Sequence, residues 1–142
     1  MQSEFNQLVE SGITALGNGE TQKALALFER ASRIDSSPTL SSCLAYCMAR
    51  ERGQVKAGHR TCEELINTDP QNLFHYLNLG RILLLENDRS AAIQAFRAGI
   101  ALDPHPQIIR ELTLLGVRKT PPIAFLPRGN ILNKLLGHFS NR

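Results

Sequence analysis

Apolar residues fall at three- and four-residue steps along this chain in successive blocks, each closed by glycine, asparagine or proline. Phe5, Leu8, Val9, Gly12, Ile13 and Leu16 make the first stripe, the spacing that places side chains on one face of an α-helix. The stretch "GNGE" at 17–20 interrupts it, because glycine readily takes the left-handed backbone on which helices end. A second stripe, Ala24, Leu25, Leu27, Phe28 and Ala31, runs from about Thr21 to Ile34. It stops at Asp35-Ser36-Ser37-Pro38, where the proline cannot extend a helix from within.

The pattern then repeats. "ALALFERASRID" from Ala24 returns weakly as "GHRTCEELINTD" from Gly58 and clearly as "AIQAFRAGIALD" from Ala92. Ala24, Phe28, Ala31 and Asp35 match Gly58, Cys62, Leu65 and Asp69, then Ala92, Phe96, Gly99 and Asp103, and both steps are 34 residues (69 − 35 and 103 − 69). A fixed period of this size marks stacked units that bury their apolar faces on one another. "ARERGQ" at 49–54 and "LENDRS" at 85–90 stand where "GNGE" stood, with Gly53 and Asn87 in place of Gly19. Asp69-Pro70 and Asp103-Pro104 close the second and third units. Pro106 suits the first turn of a seventh helix over 106–117, with Ile108, Ile109, Leu112 and Leu115 on its inner face. The fold class predicted is all-α, with about six repeat helices over 5–38, 39–72 and 73–106 and a capping helix after them.

Together the helix-turn-helix unit, the small residues Gly12 and Gly80, the Ala-x3-Phe-x2-Ala of the second helix and the closing proline make residues 5–106 resemble the tetratricopeptide repeat family. The middle unit departs, with Tyr46 where Gly12 and Gly80 stand and Cys62 where Phe28 and Phe96 stand. Its physical sense is a swap of volume, Tyr46 filling space left by Cys62 and Gly58. The resemblance implies a right-handed solenoid of antiparallel helix pairs, whose first helices line a concave groove. On that register the groove-lining residues are Asn6, Val9, Ile13 and Leu16, then Leu40, Cys43, Cys47 and Arg50, then Phe74, Leu77, Arg81 and Leu84. This is a mostly apolar trough with Arg50 and Arg81 as its charged members. Family members that grip a C-terminal carboxylate use lysines, asparagines and an arginine; the matching positions here hold Val9, Ile13, Leu44, Phe74 and Asn78. The partner implied is therefore another protein, offering an amphipathic helix or an extended apolar peptide, and the role that of an adaptor or assembly factor.

Residues 118–142 open with Pro121 and Pro122 and continue with Ile123, Phe125 and Leu126. From about Asn130 a helical stripe follows, through Ile131, Leu132, Leu135, Leu136 and Phe139. A stripe this apolar has to be buried somewhere: on the chain's own repeats, on a second copy in a homodimer, or on a membrane surface. The alternative to the adaptor is thus a self-contained structural or homo-oligomerising protein whose tail fills the groove, and a third reading is a membrane-peripheral scaffold. The membrane reading is opposed by Asn133 and by a single lysine, Lys134, among the helical residues.

Charge belongs mainly to that end of the chain. Residues 1–106 carry 10 basic and 12 acidic side chains and residues 107–142 carry 6 and 1, so a net of −2 is followed by +5. The tail's Arg118, Lys119, Arg128, Lys134 and Arg142 are dispersed, with only Phe125 and Phe139 to stack on bases, which argues against nucleic acid. With 42% hydrophobic and 20% charged residues the chain of 142 suits one folded globular unit. No basic start precedes an apolar run and no stretch has the length of a membrane span, so a cytoplasmic location and no integral membrane association are expected. The 3 cysteines do not suggest a disulfide framework.

Cys43, Cys47, His59 and Cys62 are soft ligands within one predicted hairpin, and zinc accepts such a set. Cys62, however, takes the core position of Phe28 and Phe96 while Cys43 and Cys47 fall on the groove register, so no metal is expected. His59, His75, His105 and His138 lie near no nucleophile motif, and His75 reads as a partly exposed helix residue. "GNGE" follows a helix and is not a phosphate loop. Neither catalytic residues nor a cofactor are expected, and the chain is read as a non-enzyme.

Overall fold

The computed structural model describes residues 1–117, and these are all helical, with no strand among them. The helices are α1 (Gln2–Gly17), α2 (Thr21–Ser32), α3 (Pro38–Arg52), α4 (Val55–Thr68), α5 (Leu73–Leu85), α6 (Arg89–Leu102) and α7 (Pro106–Leu114). The sequence period reappears as geometry, since α2, α4 and α6 begin 34 residues apart (55 − 21 and 89 − 55). The turns between paired helices repeat as well: Gly19, Gly53 and Asn87 have φ of 76°, 71° and 62°. Asparagine is among the few residues with a side chain that tolerate this left-handed backbone, which is why Asn87 can stand where the other two units use glycine.

Helix starts are set by short-range hydrogen bonds. The Ser37 hydroxyl accepts from the Leu40 amide at 3.1 Å, with Pro38 in the first turn of α3. Pro38 therefore opens α3 and does not stop α2, which has already ended at Ser32. Its ring pre-sets the first helical φ at a position where no amide donor is needed. Asn72 caps α5 by accepting from the Phe74 amide at 3.0 Å, and Asp88 caps α6 by accepting from the Ala91 amide at 3.2 Å. His105 Nδ1 accepts from the Gln107 amide at 3.1 Å and Pro106 begins α7. That helix ends at Leu114, short of the expected 117, and Gly116 follows with φ 82°.

Helix α1 packs on α2, α3 on α4 and α5 on α6; α3 joins the pairs by packing on both α2 and α5, and α7 lies on α6. The core has two parts, one around Phe28 and one around Phe96, with Tyr46 packed against both. Phe28 and Phe96 are fully buried because glycine faces each ring. A Cβ on Gly12 would lie 2.4 Å from Phe28 Cε1, and one on Gly80 would lie 2.3 Å from Phe96 Cε1, far inside van der Waals contact. The middle unit distributes its volume differently from the expected swap. Beside Gly58 stand the Ala45 carbonyl oxygen, Ile82 Cδ1 and Ala49 Cβ, so a neighbouring pair supplies part of the filling. Tyr46 is half-buried and its ring lies beneath the Arg81 guanidinium, 5.6 Å from the ring centroid.

Ile109, expected on the inner face of α7, is 44% exposed, and Leu114 is 71% exposed, while Ile108 and Leu112 are buried. A helix of one narrow stripe faces its neighbours with Ile108 and Leu112, four residues apart, and turns Ile109 outward. The expected C-terminal helix from Asn130 and the apolar run at Ile123, Phe125 and Leu126 lie outside the described residues.

Candidate functional site

Helix α7 ties the end of the described chain back to its beginning. Gln107 Nε2 donates to the Ile13 carbonyl at 2.9 Å, and Arg110 Nη1 donates to the Gly17 carbonyl at 2.8 Å. These acceptors lie in the last turn of α1, where carbonyls lack intrahelical partners or can be shared and where cations are favoured by the helix dipole. At the opposite side of α7, Arg89 Nη2 donates to the Leu115 carbonyl.

Between α1, α3, α5 and α7 lies a cleft of ≈ 220 Å³. Leu16 and Gly17 of α1 line it, with Gly19 and Thr21 at the turn into α2, and α3 contributes Tyr46 and Arg50. From α5 comes Arg81, and from α7 come Gln107, Arg110, Glu111 and Leu114. Arg81 is its organising residue. Nε donates to Glu111 Oε2 at 2.7 Å and Nη2 donates to Gln107 Oε1 at 3.0 Å. The guanidinium is only 7% exposed, so these charge-assisted bonds work in a partly dry setting. Nη1 is buried with no hydrogen-bond acceptor.

The twelve residues of the expected groove divide three ways. Asn6 and Arg50 are exposed; Val9, Ile13, Phe74 and Leu84 are half-buried; Leu16, Leu40, Cys43, Cys47, Leu77 and Arg81 are buried. Leu16, Arg50 and Arg81 meet at the cleft. Leu40, Cys43 and Cys47 pack in the core around Phe28, and Leu77 packs in the core around Phe96. Phe74 packs edge-on against His105, with ring centroids 5.3 Å apart.

Polar contacts stitch α3 to α5 beneath this surface. Asn78 Nδ2 donates to Ser42 Oγ at 3.2 Å and to Cys43 Sγ at 3.5 Å. Asn72 Nδ2 donates to Thr39 Oγ1 at 2.8 Å. Asn78, which falls on a clamp position in the family resemblance, is thus a buried link between helices. His75, read as partly exposed, is fully buried, with Nε2 2.9 Å from Asp69 Oδ2. Burial lowers its pKa despite the opposing effect of the Asp69 contact.

All three cysteines are buried free thiols. Burial pushes Cys43 up to about 11 and Cys47 up to about 12, and raises Cys62 as well. Burial of this kind suppresses the thiolate that would bind metal or attack a substrate. Among the described residues no group of three or more His, Cys, Asp or Glu side chains is placed to hold a metal ion.

No family model matches the chain, and no solved structure matches it. Among the described residues no helix is long and apolar enough to cross a membrane.

Gln107, Arg110, Glu111 and Tyr46 are the site residues that the periodicity misses. The first three belong to α7, which has no counterpart in the repeat and so no register to place it. Tyr46 carried a signal, its departure from Gly12 and Gly80, but that signal pointed to packing.

Proposed function

We propose that this chain is a tetratricopeptide-like repeat protein, a right-handed solenoid of antiparallel helix pairs that holds another polypeptide on the face formed by α1, α3 and α5. The role would be that of an adaptor or assembly factor in the cytoplasm, where three free thiols are at home. The observation that carries the reading is the cleft between α1, α3, α5 and α7, reached by residues of all three first helices. Around it Val9, Ile13, Phe74 and Leu84 present half-buried apolar surface, the material from which helix-in-groove recognition is built.

A photo-crosslinking amino acid placed singly at Val9, Ile13 and Phe74 of the full chain tests this in cells, with Gln94 on the exposed side of α6 as the control. One discrete foreign protein captured from the three positions and absent from the control supports the adaptor. Cross-links only into residues 118–142 of the same chain or of a sister chain support the self-contained reading. That second reading is favoured by one observation: Ile109 and Leu114 leave apolar surface exposed on α7, directly before the apolar tail.

A further inference from the structure

The cleft collects more positive charge than its own contacts use. Arg50, Arg81 and Arg110 line it against one carboxylate, Glu111, a net of +2. Glu111 is taken by Arg81 Nε, Gln107 Oε1 accepts from Nη2, and Arg110 Nη1 is held by the Gly17 carbonyl. Arg81 Nη1 is left without an acceptor, on a side chain more than nine-tenths buried. A buried guanidinium donor with no partner is costly, and an oxygen delivered into the cleft would remove that cost.

A second source of donors opens on the same space. Gly19 and Thr21 belong to the cleft wall at the start of α2, a 12-residue helix whose N-cap, Glu20, makes no side-chain cap hydrogen bond. The first amides of such a helix have no intrahelical acceptor and form the positive end of its dipole, a ready site for an anion.

We propose that the cleft binds a small phosphate-type dianion, held by the first amides of α2, Arg50 and the free Nη1 of Arg81. Charge and shape favour phosphate over a carboxylate. The net +2 of the wall matches two negative charges, and tetrahedral oxygens can meet donors arriving from α2, α3 and α5 at once. A planar carboxylate partner for Arg81 is already supplied by Glu111. The volume of ≈ 220 Å³ admits the phosphoryl group of a monoester or the free ion. Glu20 and Glu51 line the adjoining recess with Lys23, beyond Arg50, and would repel an anion from that side, confining it beside Arg81. Anion binding here is independent of the peptide-holding role and persists if no polypeptide partner exists.

The test is an amide NMR titration of the full chain at pH 7.5 and constant ionic strength, with inorganic phosphate and with phenyl phosphate. The expected result is saturable shifts at Gly19, Thr21, Gln22 and Lys23, half-complete on the order of 1 mM. Arg50→Gln, at an exposed position, should raise that concentration about tenfold, the loss of one charge-assisted bond. Tighter binding of phenyl phosphate points to a phosphomonoester ligand; equal binding points to the free ion. Shifts that rise linearly and match those from added chloride overturn the proposal, as does saturable binding that Arg50→Gln leaves unchanged.

Discussion

Gln107 donates from its amide nitrogen to the carbonyl oxygen of Ile13, 94 residues earlier, at 2.9 Å. The same side chain accepts from Arg81 Nη2 at 3.0 Å, so one amide joins α1, α5 and α7. Gln107→Ala strips a partner from a buried guanidinium and from a helix-end carbonyl. It should lower stability by about 1–3 kcal/mol in a denaturant titration, with faster hydrogen exchange in the last turn of α1. Unchanged exchange there would mean that α7 does not hold α1.

Arg81 and Arg50 share the cleft but should respond oppositely to charge reversal. Arg81→Glu sets a second carboxylate beside Glu111 in a partly dry site, and removing one partner of a buried pair costs about 3–5 kcal/mol. Arg50→Glu, at an exposed position, should leave the unfolding midpoint within error. Equal effects of the two reversals would contradict the placement of Arg81.

Gly80 exists to admit the ring of Phe96. Gly80→Ala places a Cβ 2.3 Å from Phe96 Cε1, an overpacking that should cost about 1–3 kcal/mol in thermal or chemical unfolding. Adding Phe96→Leu makes room and should recover part of the loss, so the two changes together should be less harmful than their sum. Simple additivity would mean that the two residues do not meet.

His75 should make the fold acid-sensitive. Its pKa is lowered from 6.5 in the folded state, burial being the largest cause, so the unfolded chain takes up the proton first as pH falls. The stability from keeping His75 neutral is complete above pH 6.5 and is lost as pH falls through the folded pKa. His75→Gln should flatten the stability profile below that pH relative to the parent chain. Parallel profiles would show that His75 does not titrate in this way.

The three thiols should be silent in the native protein. With Cys43 raised to about 11 and Cys47 to about 12 by burial, and Cys62 raised too, a thiol reagent at pH 8 should react only through opening of the fold. All three should become reactive together in denaturant. Fast labelling of one cysteine under native conditions would place it at the surface.

Sequence alone determined the all-helical class, the 34-residue step and the positions of the breaks. These depend on local chemistry: apolar periodicity, the left-handed turns at Gly19, Gly53 and Asn87, and the glycine-for-ring exchanges at Phe28 and Phe96. Pro38 was legible as a boundary but not as to its side, because proline both ends one helix and begins the next, and only the Ser37 cap decided between them.

Tertiary structure alone decided the rest. Cys43, Cys47 and Leu77 share a helical register with exposed positions, yet neighbouring helices cover them, and a one-dimensional period cannot show which side of a helix its neighbours cover. His75 is buried for the same reason. The site around Arg81 depends on Gln107, Arg110 and Glu111 of a helix outside the repeat, meeting α1 across more than ninety residues of chain. Such a contact leaves no mark in local spacing, because it is set by how the stacked pairs bring the two ends of the described chain together.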